Sequence, residues 1–432
     1  MRRPFEEVCD VYVINTCTVT AESDRKSRQM IRRAHHKNPL AHIMVCGCYA
    51  QTTPSDVENL PGVSYVVGTG GKMTIAARAE ALLAAEAAGT AGTAGTAGTA
   101  GTAGAAGTAG TAGTAGEPVC AVAALEGAAF EKMAITHAPR TRAYVKIEDG
   151  CECRCSYCAI PGARGPVRSK LPQDVIDEVT ALAAGGSREI VLTGIETASY
   201  GADLGGIRLI DLLEELDGLP GMPRLRLGSL TPELLRPAFI ERFSALRHLT
   251  PHLHLSVQSG SDAVLRGMRR RYATGMVLEA MRALRAAIPA IQFTADVMVG
   301  FPGESDAHFE ETMAFCREAA FLDIHVFAYS CRPGTPAATF PGQIADGVKH
   351  ERSAALIALK NEIREKILAG LVAAGQPLSA LFETSEGGLC HGHTDTYVPV
   401  AAPVAASPPC GEIHRVRPLS VQDGAILGEI IN

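Results

Sequence analysis

Gly150-Cys151-Glu152-Cys153-Arg154-Cys155-Ser156-Tyr157-Cys158 is the stretch on which the fold turns. Cys151, Cys155 and Cys158 follow the spacing C-x3-C-x2-C, three thiolates from one short loop. A four-iron cluster is usually held by four cysteines, so three leave one iron open. In a loop followed by alternating strands and helices, the ligand expected there is the amino and carboxylate end of S-adenosylmethionine (SAM). One electron from the cluster then cleaves the sulfonium to a 5′-deoxyadenosyl radical, chemistry that belongs to the cofactor while the protein positions it. Structural zinc is a rival, but it asks for a second ligand arm that the triplet lacks. A set of inert thiols is another. Cys153 is an extra thiol that could confuse the ligand assignment.

Outward from the loop, strands and helices alternate. The residue patterns predict strands at Ala143–Ile147, Glu189–Thr193, Leu225–Ser229, His252–Val257, Phe293–Val299 and Ile324–Tyr329. Helices are expected between them, for example Gln173–Ala184, Thr274–Ala287 and Asp306–Ala319. About six β/α units suit a partial or full barrel of parallel strands with its chemistry at their C-terminal ends. The cysteine loop directly follows the first of these strands.

The N-terminal region reads as a small parallel α/β domain over residues 1–87. A strand at 9–15 ends at Thr16-Cys17-Thr18, a helix follows at 21–36, and a strand at His42–Val45 ends at Cys46-Gly47-Cys48. Ligands of such sheets sit at the strands' carboxyl ends, which makes Cys17 and Cys48 expected neighbours. Residues 88–118, nearly all Ala-Gly-Thr, are expected to be a linker, being too poor in large apolar groups to offset their ordering entropy. The β/α region spans 137–373 and closes with a helix at Lys349–Ala373. Residues 376–432 read as a small β-barrel, with strands at Leu378–Phe382, Tyr397–Val400, Gly411–Val416 and Ala425–Ile431.

Thirteen cysteines, an odd number, and no secretion signal argue against a disulfide framework. No run approaches the ~18 apolar residues that cross a bilayer, so a cytoplasmic protein without membrane contact is expected. The net charge of −6 argues weakly against nucleic acid. Charge is local, however: the run Arg25–Lys37 holds six Lys/Arg and no acid, with further clusters at Arg269, Arg270 and Arg271 and at Arg140 and Arg142. Such runs are commonly solvated faces, yet three of them favour a phosphate backbone.

The remaining candidates lie in the loop and at strand ends. Tyr157 would pack beside an adenine or else cover the cluster. Gly194 and Glu196 would meet a ligand's ammonium through backbone and carboxylate, with Ser229 ending the third strand beside them. Gln258 and Ser259 offer amide and hydroxyl partners for a ribose. The glycines of Val299-Gly300-Phe301-Pro302-Gly303-Glu304 permit close backbone approach. His254 and His325, inside strands, are expected to be packed core histidines. Cys9 and Cys46 are outside possibilities for a second metal centre.

Several stretches together resemble the radical SAM methylthiotransferases: Asp10-Val11-Tyr12-Val13-Ile14-Asn15-Thr16-Cys17, Lys26-Ser27-Arg28-Gln29 and Gly47-Cys48-Tyr49-Ala50-Gln51 at the N-terminus. The cysteine loop with Ala163-Arg164-Gly165, Gln258-Ser259-Gly260-Ser261-Asp262, Val299–Glu304 and His325-Val326-Phe327-Ala328-Tyr329-Ser330 continue the match. Arg332-Pro333-Gly334-Thr335-Pro336-Ala337 resembles the MtaB branch, which adds a methylthio group to carbon 2 of N6-threonylcarbamoyladenosine beside the tRNA anticodon. The resemblance implies a second 4Fe-4S cluster in the N-terminal domain, a radical SAM barrel and a C-terminal TRAM-like domain that grips tRNA. It implies two SAM molecules per reaction and an electron donor such as flavodoxin or ferredoxin. Cys17 and Cys48 match two of the second cluster's three ligands; the first lies in a Gly-Cys motif absent here, so an N-terminally truncated sequence is expected. Rival readings are modification of a ribosomal-protein aspartate and a non-catalytic tRNA-binding remnant.

Overall fold

In the computed structural model, residues 5–87, 118–134, 141–404 and 410–431 are described. The Ala-Gly-Thr stretch at 88–117 and Arg140 lie outside them. The described chain divides into two units. The first holds the N-terminal residues to Met133, Gly150–Pro166 and Ser330–Ala338; the second holds Ala134–Asp149, Val167–Tyr329 and Thr339 onward.

In the first unit, strands β1 (Val11–Thr16), β2 (His42–Gly47), β3 (Val63–Val66) and β4 (Val119–Cys120) form one parallel sheet in that order. Alternation sets the register of β1: Tyr12, Ile14 and Thr16 are buried while Val11, Val13 and Asn15 are not. Thr20 caps the helix Ala21–Lys37 by accepting from the Ser23 amide at 3.1 Å. Ser27, Ile31 and Ala34 form the helix's buried stripe, and Ile31 and Ala34 pack on Tyr12, Ile14, Ile43 and Val45. The short strands β3 and β4 escaped the sequence reading because four and two residues show no usable periodicity.

The second unit begins with β5 (Arg142–Lys146). A short antiparallel pair, β6 (Glu148–Asp149) and β7 (Arg168–Ser169), flanks the cysteine loop in sequence. Then come β8 (Glu189–Thr193), β9 (Arg224–Leu227), β10 (Ser229–Leu230), β11 (His252–Gln258), β12 (Gln292–Val299) and β13 (Asp323–Ala328). All pairings among β5, β8 and β9 and among β10 to β13 are parallel. Only Gly228 separates β9 from β10, so the run is a six-unit β/α partial barrel.

Side-chain alternation gives this sheet two unlike faces. Ala143, Ile190, Leu225, Leu253, Leu255, Phe293, Ala295, Val297 and Ile324 pack with helical Val175, Met281, Leu284 and Phe315 in one apolar core. The intervening residues, Tyr144, Arg226, His254, Asp296 and His325 among them, face the concave side. That face is polar, unlike the apolar filling of a closed barrel.

Helix Asp346–Ala374 leads through Gly375 (φ +62°) into a closed five-stranded barrel. Its strands are β14 (Leu378–Glu386), β15 (Leu389–Thr394), β16 (Pro399–Pro403), β17 (Ile413–Gln422) and β18 (Ala425–Ile431). β15 was not expected: Cys390-His391-Gly392-His393 lacks apolar alternation. Gly392 is required there because a Cβ would lie 2.1 Å from the Leu381 carbonyl oxygen. The turn after β15 seats Tyr397 (φ +69°) between His252 and His393, with ring centroids 4.7 and 4.8 Å away. Arg226 and Arg142 lie 5.0 and 5.5 Å from the same ring. The fully buried Glu189 faces both arginines at 2.7 and 2.9 Å.

Candidate functional site

In the first unit, the parallel register pairs Thr16 with Gly47, so Cys17 and Cys48 each follow one of two paired residues. Gly47 makes this turn at φ +101°; a Cβ there would sit 2.3 Å from the Thr16 carbonyl oxygen. Cys48 is buried and opens the helix Cys48–Thr52, whereas Cys17 is exposed. The Val19 amide lies 3.5 Å from Cys17 Sγ, and Arg164 Nε donates to Cys48 Sγ at 3.0 Å.

Cys9 and Cys46 do not join them. Cys9 precedes β1 at the opposite end of the sheet. Cys46 packs in a core with Met44, Tyr65 and Val67, where burial pushes its thiol pKa up. Among the described residues, no third cysteine, histidine or carboxylate completes a single-ion ligand set with Cys17 and Cys48.

The cysteine loop belongs to the same unit. Gly150 (φ +95°) starts it where a Cβ would lie 1.9 Å from the Pro166 carbonyl oxygen, and the Cys151 amide bonds the Gly165 carbonyl at 3.1 Å. Backbone amides point at two of the three sulfurs: Cys153 N lies 3.5 Å from Cys151 Sγ and Ile160 N 3.4 Å from Cys158 Sγ. Cys151, Cys155 and Cys158 do not bring their sulfurs within 4.8 Å of one another, as a single ion would ask. A four-iron cluster, which places each thiolate on a different iron, has no such requirement. The donor set therefore fits the cluster better than zinc. Tyr157 is half-buried in the loop. Helix Ile160–Arg164 runs from the end of this loop to Cys48, so one short element links the two cysteine sets.

In the second unit, the strand-end candidates have unequal surroundings. Glu148 accepts from the Ile195 and Glu196 amides at 2.8 Å each, so those backbone donors are occupied. Gly194 leaves room for that carboxylate, which would stand 2.6 Å from a Cβ. Glu196 is buried with Oε1 lacking a hydrogen-bond partner, and burial raises its pKa. Gln258 adopts φ +69° and also buries an unpartnered Oε1. Two orphaned acceptors, one following β8 and one ending β11, fit a ligand bearing ammonium or hydroxyl donors. Ser229 is exposed. Ser259 is instead turned inward, fully buried, 3.4 Å from Thr312 Oγ1 and accepting from the Ser261 amide at 3.1 Å.

Burial lifts the Glu148 pKa to about 8, so the folded chain holds a proton that the unfolded chain has released. Its contribution to stability is full below pH 4.5, the ordinary glutamate value, and is lost as pH rises towards 8. Glu148→Gln keeps an acceptor for both amides and should flatten that slope. Denaturant midpoints measured from pH 5 to 8 check it; equal slopes in both proteins would contradict it.

The concave face carries a cluster that sequence reading mis-assigned. His254 Nε2 and His325 Nδ1 approach the two oxygens of Asp296 at 3.1 and 3.3 Å. Thr294 Oγ1 bonds His254 Nδ1 at 2.8 Å and His252 Nε2 at 3.0 Å. Five strand residues thus form a continuous chain from the buried His252 to His325, which is 66% exposed. His325 is therefore not a packed core residue. Asp296 was missed, although one acid in an otherwise apolar strand was the available signal.

The basic clusters divide as well. Arg25, Lys26 and Arg33 remain largely exposed, although Arg25 and Arg33 pair with Glu22 and Glu6. Arg270, by contrast, is structural: it bonds Tyr272 Oη, Thr231 Oγ1 and the Ser256 carbonyl at 2.9–3.0 Å. No helix among the described residues is long and apolar enough to cross a membrane.

Comparison with known proteins agrees with this architecture. Residues 145–316 match the radical SAM superfamily, and residues 2–68 match uncharacterized protein family UPF0004. The chain is 38% identical to the threonylcarbamoyladenosine tRNA methylthiotransferase MtaB of Bacillus subtilis, covering 92% of this chain and 83% of that protein. It is 31% identical to a tRNA-2-methylthio-N(6)-dimethylallyladenosine synthase of Carboxydothermus hydrogenoformans, covering 83% and 77%. Among solved structures, the radical SAM methyltransferase TsrM of Kitasatospora setae shares the fold, with TM-score 0.52 and 18% identity over 77% of this chain and 66% of that one. With two cysteine sets in its first unit, an open β/α barrel and a terminal β-barrel, the chain belongs to the radical SAM methylthiotransferase family.

Proposed function

We propose that this enzyme adds a methylthio group to carbon 2 of N6-threonylcarbamoyladenosine next to the anticodon of tRNA. The observation that carries the reading is the 38% identity, over nearly the whole chain, to a relative named for that substrate. When bound, the cluster and SAM supply a carbon-centred radical able to remove hydrogen from an unactivated ring position. Cys151, Cys155 and Cys158 would hold that cluster, with Tyr157 beside it. The orphaned oxygens of Glu196 and Gln258 would accept from the ammonium and ribose hydroxyls of SAM, with Gly194 and Ser229 lining the same strand ends. Ser259 would support Gln258 from behind. Cys17 and Cys48 would contribute to a second cluster, with Arg164 donating to Cys48.

The exposed cations of helix Ala21–Lys37 and the terminal β-barrel would meet the RNA backbone. An anticodon loop presents its adenine unstacked at modest cost. A reduced flavodoxin or ferredoxin would deliver the electron.

Nucleoside mass spectrometry of tRNA from a strain lacking this chain is expected to show the threonylcarbamoyl nucleoside without its methylthio group, restored on complementation. Loss of a methylthio group from a dimethylallyl nucleoside instead, or unchanged tRNA, would refute the assignment.

A further inference from the structure

His325 stands apart from the other ionisable groups of the concave face. Its Nδ1 is held by Asp296 Oδ1 at 3.3 Å, which fixes the ring. Its Nε2 has no hydrogen-bond partner among the described residues, and the side chain is 66% exposed. The second oxygen of Asp296 is taken by His254 at 3.1 Å, and His254 is in turn held by Thr294. The carboxylate therefore braces one free imidazole from a rigid, hydrogen-bonded wall. The other charges near His325 are already matched: Lys360 bonds Asp323 at 2.9 Å and the Ile324 carbonyl at 3.1 Å. When the ring is protonated, what remains on offer at Nε2 is one oriented, positively charged N–H donor.

A donor of that kind suits an anion with planar oxygens. A neutral hydrocarbon substituent would leave it unpaired. We propose that His325, braced by Asp296, binds the carboxylate of the threonyl group on the modified adenosine and makes this face selective for a carboxylate-bearing N6 substituent. The assignment deepens the substrate reading above and rests on it. His325 is thus a specificity residue, and Asp296 and His254 are positioning residues.

The bond to Asp296 raises the pKa of His325 from its ordinary value of 6.5, so the imidazolium persists to higher pH than in a free histidine. The groups that face it are Asp296, His254, Asp323 and Lys360. Asp296 and Asp323 favour the cation and Lys360 opposes it. Affinity for the carboxylate is therefore full at acid pH and falls as pH rises through the His325 pKa.

The test uses the reconstituted full-length enzyme and anticodon stem-loop RNA carrying N6-threonylcarbamoyladenosine as the free acid or its methyl ester. KM comes from methylthio product formation, and Kd from the anisotropy of labelled RNA without turnover. Wild type should prefer the acid, and His325→Gln should weaken KM and Kd for the acid roughly ten- to a hundredfold while leaving the ester unchanged. His325→Arg should recover much of the preference and lose its pH dependence between 6 and 8, which also answers any concern that the site has simply collapsed. Continued preference of the glutamine variant for the acid refutes the His325 assignment alone. So does one equivalent of zinc or manganese bound by wild type and absent from His325→Gln, because the three side chains would then be metal ligands. Wild type that modifies neither RNA refutes the functional reading, and this proposal falls with it.

Discussion

Replacing any one of Cys151, Cys155 or Cys158 by alanine is expected to reduce reductive cleavage of SAM to background. On the proposed assignment each thiolate would hold a different iron, so losing one would leave the cluster a ligand short. The loop has little freedom to rebuild, because Gly150 and the Cys151–Gly165 bond fix its entry. Anaerobically reconstituted variants should also lose about four irons per chain. Cys153→Ala is the matched control: Cys153 lies outside the C-x3-C-x2-C spacing, and the substitution keeps the backbone amide that faces Cys151 Sγ. The measurement is 5′-deoxyadenosine formed under dithionite, alongside iron and sulfide analysis. Undiminished cleavage in any of the three variants would remove the basis for radical chemistry in this chain. In wild type, about eight irons would support a second cluster that includes Cys17 and Cys48, and about four would count against it.

Glu189→Leu is expected to cost about 3–5 kcal/mol of stability, the range for removing one partner of a buried ion pair. Glu189 is fully buried between Arg226 and Arg142. Arg226 also donates to the Thr394 and Asp395 carbonyls at 3.3 and 3.1 Å. The carboxylate thus neutralises guanidinium groups that join the β/α strands to the terminal β-barrel through Tyr397. Denaturant midpoints measure the loss, and limited proteolysis should show early release of fragments near residue 375. The double variant Glu189→Leu, Arg226→Met should recover part of the loss, since an apolar pair replaces an unpaired buried charge. A single variant within about 1 kcal/mol of wild type would show that this cluster contributes little to stability.

Much of the fold was legible because burial leaves a local trace. Glu189–Thr193, Thr274–Ala287, Asp306–Ala319 and Ala425–Ile431 appear with the bounds that periodicity and flanking residues predict. Long helices and half-buried strands repeat their pattern often enough to be read. β3, β4 and β15 do not: the first two are very short, and β15 owes its place to pairing with β14 and β16 rather than to its own residues. Only the closing of the barrel makes Gly392 obligatory.

The chemistry followed the same division. Spacing within one loop singled out the candidate cluster ligands, because residues a few positions apart are brought together by the backbone itself. Partners far apart in sequence required the folded chain. Arg164 reaches Cys48 across 116 positions. Asp296 meets His254 and His325 because three parallel strands place alternate residues on one face. The same placement turned two expected core histidines into a polar wall, since a strand residue shows its period in sequence but not which of the two faces is apolar. Tertiary structure alone decided that, by packing apolar helix faces against one side and gathering the polar residues on the other.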